Sequence, residues 1–418
     1  MLDIKFIREN PEVVKNGVKS KGVDVDIDKI IDLDKLKQGH QQTVQKLQEE
    51  RNTFTKTISG KPTGDQIEIG KKIREKLEEE ENAYNTINSE LNALLLKIPN
   101  LPKPDVKIGK DDSENEVLRK YKDPIKLDFA PKDHLELGET LDIIDVKSAA
   151  KVSGARFGYL KNDGALLEFA LKQLAFDLLL KEGFIPVVPP VLIKKDIMDG
   201  LGYTAMGEDE NIFFLPNDNL YLVGTAEQSI VPLHMNDTLS KNELPKRYVG
   251  FSTSFRREAG SYGKDTKGIF RVHQFNKVEM VSFVEEGKDD AEHEYMLSIE
   301  EKLFQMLDIP YQVVAICTGD LGFNAARKYD IEAWIPSQDK YREVTSTSTV
   351  TDFQSRRLNM KYQDGDQKKY LQVLNGTAFS MNRPIIAILE NYQQADGSIL
   401  IPEALRKYMG KDKITLQK

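Results

Sequence analysis

The stretch FRREAGSYGKDTKGIFRVHQFNKVEM, from Phe255 to Met280, concentrates residues able to do chemistry. Two strand-like ends flank a loop that holds Gly260, Gly263 and Gly268. Side chains of one parity share a face of a strand. Arg271, His273, Phe275, Lys277 and Glu279 therefore line one surface, while Val272, Val278 and Met280 suit the buried side. At ~3.4 Å per residue, Arg271 and Glu279 stand about 27 Å apart. Arg256 and Glu258 share a face of the preceding strand. Guanidinium groups suit phosphates, a flat ring suits a base, and carboxylates suit amines. The row is long enough for a nucleotide and a second small molecule laid end to end. A solvated hairpin with cross-strand ion pairs carries the same pattern, so the hairpin alone leaves both readings open.

The rest of the chain has to position these groups. Its 418 residues allow two or three domains and at least one sizeable core. Charged residues make up 30% and hydrophobic ones 39%, a soluble balance, and the net charge of -8 argues against general coating of nucleic acid. The single cysteine, Cys317, provides neither a disulfide framework nor a thiolate metal site, and is expected as a core thiol. His40, His134, His234, His273 and His293 are scattered without metal-ligand spacing. MLDIKFIRENPE has no apolar signal core, and no run is long enough to span a bilayer. A cytosolic protein is expected.

Residues 1–102 read as helical. Positions 30, 33, 37, 40, 44, 47, 51, 54 and 58 step by three and four, and after SGKPTGD (59–65) the pattern resumes at 73, 77, 80, 84, 87, 91, 94 and 98. Two heptad seams joined by a Gly/Pro turn predict an antiparallel two-helix coiled-coil arm. IPNLPKP ends it, because its prolines cannot continue a helix. Around the turn the arm is basic, with Lys56, Lys61, Lys71, Lys72, Arg74 and Lys76 against Asp65, Glu68 and Glu75. Such a tip suits an RNA backbone, although charge runs are also ordinary solvated faces. Residues 103–130 read as a linker. From 131 to 418 the pattern mixes helices (166–182, 289–307) with strands (248–254, 270–284, 311–316), which predicts an α+β domain with a largely antiparallel sheet flanked by helices. GLGYTA (200–205) imitates a dinucleotide fingerprint but lacks the surrounding strand–helix unit.

Segments along nearly the whole chain carry a family resemblance. FRRE, the glycine loop and FRVHQFNKVE resemble motif 2 of the class II aminoacyl-tRNA synthetases, and MLDIKFIREN, IPNLPKP, GTAEQS, CTGDLGFNAARKYDIEAW, TDFQSRR and ILENYQQADGSILIPEALRKYMG resemble the bacterial-type seryl-tRNA synthetases. GFIPVVPPVL (183–192) resembles motif 1, with Pro190 its proline, and LNGTAFSMNRPIIAILE (374–390) resembles motif 3, with Arg383 its arginine.

The resemblance implies a class II catalytic domain at 131–418 and an arm at 1–102 that binds tRNA. The implied reaction joins L-serine to ATP, with Mg²⁺, and then to the 3′ end of tRNA(Ser), with tRNA(Sec) as a second acceptor. The implied enzyme is a cytoplasmic homodimer with no membrane or DNA partner. Arg256 would contact the α-phosphate, Glu258 the adenine amino group and Phe275 the adenine face, with Arg271 and Arg383 at the γ-phosphate. Arg256 and Arg383 are thereby the implied catalytic residues. Glu343 and Ser346 would be oxygen ligands of Mg²⁺, within a nucleotide-binding segment that includes Val344 and Thr345. Thr225, Ala226 and Glu227, with Arg256, Glu279 and Thr377, would cradle serine. Lys56, Lys61, Lys71, Lys72 and Arg74 would meet the long variable arm of the tRNA.

No protein nucleophile is required, which agrees with the lack of a Ser-His-Asp or Cys-His arrangement, and His273 is expected to support rather than to react. The chain departs from the family at Thr377, usually Ser, at TSTSTV (345–350), and at Ala378 and Ser380. Asn382 replaces a glycine and suits a helix N-cap ahead of Pro384. Two other readings are an adenylating enzyme with a different acceptor and a non-catalytic coiled-coil protein. The long hairpin argues against the first, and the set Arg256, Glu258, Glu279, Glu343 and Arg383 argues against the second.

Overall fold

The computed structural model describes residues 1–204, 208–259 and 267–416. Gly260 and Gly263 of the glycine loop, and Ala205 of GLGYTA, lie outside the described residues. The chain forms two compact units, Met1–Leu101 and Pro102–Lys418.

The first unit is built on α1 (Ile27–Thr57) and α2 (Gly64–Leu95). Asp26 caps α1 by accepting from the Lys29 N–H at 2.9 Å. Thr63 and Gln66 form a capping box at the start of α2, satisfying two backbone donors that a helix leaves open. The predicted seam is the packed face: Ile30, Leu33, Ile73, Leu77 and Leu91 are buried, and Val44, Leu47 and Phe54 are half-buried. Two polar seam residues find each other, His40 Nδ1 lying 2.6 Å from Glu80 Oε2. Arg51 stays exposed. Where the hairpin meets the two short N-terminal helices, Ile7, Val14, Ile27, Ile30, Leu91 and Ile98 make a core.

The second unit is organised by an eight-stranded sheet. In chain order its strands are β1 (Glu116–Tyr121), β2 (Ile185–Val187), β3 (Lys246–Phe255), β4 (Gln274–Val284), β5 (Tyr311–Ala315), β6 (Arg327–Ile335), β7 (Lys340–Thr351) and β8 (Gln372–Ser380). They lie in the order β1-β5-β6-β7-β8-β4-β3-β2, antiparallel except for the β2–β3 pair. Three helices supply the principal apolar cover: α3 (Asn162–Lys181), α4 (Asp289–Met306) and α5 (Asn382–Asn391). Leu171, Met296, Leu303, Phe304, Ile385 and Leu389 are fully buried in the same core as Val278 and Met280 of β4. Further along β4 the opposite parity, Val281 and Phe283, is buried in a second cluster.

Two expectations change here. The stretch 103–130 is not a free linker, because β1 pairs along β5, from Glu116 opposite Ala315 to Tyr121 opposite Tyr311. Its weak local pattern hid a sheet edge whose pairing partner lies far along the chain. The strand expected over 270–284 begins only at Gln274. The His273 N–H is bonded to Arg156 O at 2.9 Å, so the chain ahead of Gln274 leaves the ladder and Arg271 is not a strand residue.

Leu91 is 1% exposed in the core of the first unit. Leu91→Ala is expected to cost a fragment of residues 1–101 about 2–4 kcal/mol, by lost burial and the cavity left behind, read as a lower urea midpoint in helical circular dichroism.

Candidate active site

A cleft of about 560 Å³ opens over the uncovered face of the sheet. Strand β4 supplies Phe275, Lys277 and Glu279, and its parity sends them into the cleft while Val278 and Met280 enter the core. Arg256 and Glu258 reach it from the segment after β3, Arg271 from the segment before β4, and Arg383 from the first turn of α5. Strand β7 brings Glu343, Val344, Thr345 and Ser346, β8 brings Thr377, and Thr225 and Glu227 come from around a short helix. Ala226 does not line the cleft; it is buried behind it. Lys56, Lys61, Lys71, Lys72 and Arg74 lie exposed around the turn of the first unit, where Lys72 pairs with Glu68 at 2.8 Å and Lys71 with Glu75 at 3.7 Å.

At one part of the cleft the Arg256 guanidinium sits 5.4 Å from the Phe275 ring centroid, and its Nε donates to Gly224 O at 3.3 Å. Glu258 has a left-handed backbone (φ 49°) and accepts from Arg271 Nη1 at 3.1 Å. Such a conformation is costly for a non-glycine residue and points to a site held by its surroundings. The Arg156 side chain fixes it by donating to Glu258 O at 2.8 Å. His273 Nδ1 lies 3.0 Å from Arg256 O.

Arg383 is prepared before any ligand arrives. Its Nε donates to Phe270 O at 3.2 Å, its Nη1 donates to Glu343 O, and its guanidinium lies 3.9 Å from the Phe270 ring centroid. Burial pushes its pKa down, opposed by the Glu343 carboxylate. Asn382 is not the helix cap expected for it: it is the first helical residue, and its Nδ2 donates to Ile269 O at 3.0 Å, fastening α5 to the approach to β4.

The Glu343–Ser346 segment depends on a bulge. Glu343 pairs with Glu332 and Thr345 with Ile331, so Val344 is the extra residue on β7. A bulge reverses which parity faces which side, and it places Glu343 on the side shared by Ser346 although the two are an odd number apart. Burial alone would raise the Glu343 carboxyl, but Lys328, Arg383, Arg256 and Lys277 together hold it below the usual glutamate value. It is therefore ionised, exposed to the cleft, and able to take a divalent cation alongside a hydroxyl. Within TSTSTV, Ser346 and Ser348 line the cleft, while the hydroxyls of Thr345 and Thr349 turn to Glu300 and Asp289 on α4.

Glu279 is 1% exposed, and burial lifts its pKa to about 7 against the pull of Lys277, with which it is ion-paired. Lys277 also donates to Thr225 Oγ1 at 3.2 Å. Glu227 accepts from Tyr203 Oη at 2.7 Å and Gln354 Nε2 at 3.0 Å. Tyr203, Gln354 and Lys328 escaped the sequence reading. Lys328, 3.2 Å from Asp330 on β6, shares strand parity with it, and that alternation was the only available signal. Cys317 is buried, its thiol donating to Asp111 O at 3.2 Å.

Comparison with known proteins agrees along the whole length. Residues 1–102 match the model of the seryl-tRNA synthetase N-terminal domain, and 213–392 that of the class II tRNA synthetase core domain for G, H, P, S and T. The serine–tRNA ligase of Treponema denticola is 43% identical over 99% of this chain and all of the relative. That of Thermobifida fusca is 44% identical over 99% of this chain and 98% of the relative. The crystal structure of seryl-tRNA synthetase from Pyrococcus horikoshii complexed with ATP superposes with a TM-score of 0.93 at 39% identity, covering 100% of both chains. The cytoplasmic serine–tRNA ligase of Naegleria fowleri in complex with AMP gives 0.89 at 31% identity, covering 100% of this chain and 99% of that one. The chain belongs to the seryl-tRNA synthetase family of class II aminoacyl-tRNA synthetases.

Proposed function

We propose that the cleft activates L-serine with ATP, releasing pyrophosphate, and that the enzyme then esterifies serine to the 3′ end of tRNA(Ser). One observation carries this reading. The cleft places guanidiniums, an aromatic ring and an ionised carboxylate beside a pocket of Thr225, Glu227, Glu279 and Thr377. In the first step the serine carboxylate attacks the α-phosphorus and pyrophosphate leaves, so positive charge has to meet the charge growing on the phosphates. Arg256 is assigned to the α-phosphate, Arg271 and Arg383 to the γ-phosphate end, Phe275 to the adenine face and Glu258 to its amino group. Preorganised groups cost little reorganisation during reaction, and Arg383 is already fastened at two backbone carbonyls. Glu279 and Glu227 are assigned to the serine ammonium and Thr377 to its hydroxyl.

Mg²⁺ fits Glu343 and Ser346, one carboxylate and one hydroxyl on a common strand face, with phosphate and water oxygens completing its shell. When bound it would offset phosphate charge as pyrophosphate departs. Among the described residues no group of three or more His, Cys, Asp or Glu could hold a metal, so the nucleotide itself has to contribute ligands.

A homodimer is part of the reading. Ile185, Val188 and Leu192 of the motif 1-like segment are 45%, 93% and 40% exposed, with Phe169 57% exposed on α3, and a partner subunit would give these apolar side chains cover. The arm is assigned to the tRNA through Lys56, Lys61, Lys71, Lys72 and Arg74. A cytoplasmic site of action goes with these substrates; no described helix is long and apolar enough to cross a membrane.

Serine-dependent ATP–pyrophosphate exchange tests the proposal. Serine is expected to exceed alanine by on the order of 10³-fold or more in kcat/KM, because alanine leaves pocket groups unpaired; threonine, excluded by bulk, falls behind by less. Equal rates with alanine would defeat the serine assignment. Capture of an ammonium needs the ionised form of Glu279, whose pKa lies at about 7. The KM for serine is therefore expected to rise about fivefold from pH 7 to pH 6, since the ionised fraction falls from about a half at the pKa to roughly a tenth one pH unit below it; a flat profile contradicts the role. Replacing residues 36–92 by a short Gly/Ser bridge is expected to keep exchange within about threefold and to abolish tRNA charging, as phosphate contacts dominate RNA affinity. Undiminished charging by that variant would remove the arm from RNA binding.

A further inference from the structure

Helix α4 carries a carboxylic acid where it crosses the middle of the sheet. Glu300 is 0% exposed, among Met296, Leu297, Leu303 and Phe304, which are also fully buried. One of its oxygens, Oε2, accepts from the Thr345 hydroxyl. The other, Oε1, has no hydrogen-bond partner and rests against Gly376 of β8. A Cβ at Gly376 would come 2.8 Å from that oxygen and 3.0 Å from Thr347 Oγ1. The glycine is thus a notch in the strand, and the acid occupies it. Burial drives the Glu300 pKa well up, the Thr345 bond opposes, and Glu279 adds to the rise. Burial thus favours the neutral form of this side chain. A half-satisfied polar group in such a place is costly, and an apolar residue of similar size would avoid the cost.

The position suggests what offsets it. The ladder between β7 and β8 runs from Thr351 opposite Val373 to Thr347 opposite Gly376 and goes no further. Beyond that pair no ladder joins the two strands, and both contribute residues to the cleft there. Glu343, Thr345 and Ser346 are on one strand, Thr377 on the other. Glu300 bonds to the first strand and is wedged against the last ladder residue of the second. We infer that Glu300 is a positioning residue for adenylate formation, clamping the two strands where their ladder ends so that the nucleotide-side segment of β7 and the serine-side residue of β8 keep a fixed separation. The inference rests on the adenylation reading above. Misalignment of two bound reactants lowers the rate of the chemical step more than the binding of either, which separates this role from a purely structural one.

The test is pyrophosphate exchange by the full-length chain at a temperature well below melting. Glu300→Ala is expected to lower kcat about tenfold or more, with the KM values for serine and ATP within about threefold. Glu300→Gln, which keeps the shape of the neutral acid, is expected to hold kcat within about threefold of the parent. Gly376→Ala drives a methyl into the carboxyl and is expected to lower kcat as well. The double variant Gly376→Ala/Glu300→Ala, where the methyl enters vacated space, is expected to recover part of it. If Glu300→Ala does not fold, the Gln variant and the double variant decide: a Gln variant as slow as Gly376→Ala, or a double variant no faster than it, overturns the inference. So does a folded Glu300→Ala enzyme with kcat within about twofold of the parent, whatever its melting temperature, or one in which only a KM moves. A parent without serine-dependent exchange brings down the adenylation reading itself; an active parent with an unaffected Glu300→Ala variant brings down only the clamp.

Discussion

Charges on the floor of the cleft have to be balanced against one another before any ligand arrives, and the architecture of the second unit follows from that requirement. An isolated charge on a partly desolvated surface is expensive, and one paired with its opposite is tolerable. Lys277 is paired with Glu279, Arg271 with Glu258 and Lys328 with Asp330, while the Arg383 guanidinium is bonded to the Glu343 main chain. The consequence is electrostatic as well as structural. Four cations hold Glu343 ionised, whereas Glu279, more deeply buried, rises to about 7. Two glutamates in one cleft are therefore adjusted in opposite directions, as different tasks demand.

An antiparallel sheet suits this balance because its two faces are chemically separable. On β4, Val278 and Met280 enter the helix-covered core while Phe275, Lys277 and Glu279 stay in the cleft. Lys277 and Glu279 are carried on backbone paired on both sides, with Arg256, Glu258 and Arg271 on the segments that continue β3 and lead into β4. Where simple alternation would misplace a group, the backbone is altered: the Val344 bulge brings Glu343 and Ser346 to one side, and the left-handed turn at Glu258 aims its carboxylate at Arg271.

Local periodicity made part of this legible. The heptad steps of the arm and the alternation of β4 are short-range patterns, and both reappear as packed and exposed faces. Motif order along the chain pointed to the family, and of the residues expected around ATP and serine all but Ala226 line one cleft. What stayed hidden depends on distant partners. β1 is a strand only because β5 pairs with it, and Arg271 leaves the ladder because His273 is bonded to Arg156. Asn382 satisfies a carbonyl of Ile269 rather than capping its own helix. A bulge needs two strands to be seen, so Val344 could not be recognised from β7 alone. Glu300 is one of several buried polar residues of α4, with Asp289, Glu292 and His293, and nothing in that helix announces the notch at Gly376.

The hairpin turn of the first unit has a consequence of another kind. Lys71 and Lys72 are each already engaged by a glutamate one helical turn away. Such exposed pairs are weak and readily exchanged, yet they mute the field that the tip projects into solution. In a chain of net charge -8, the attraction for an arbitrary polyanion is correspondingly shallow. On the assignment of the arm to tRNA proposed above, an RNA would gain from this surface only when its shape let several phosphates engage at once and draw the lysines away from their glutamates. Wrong transcripts would then be left with brief encounters, the internal partners of the basic tip filtering on dwell time.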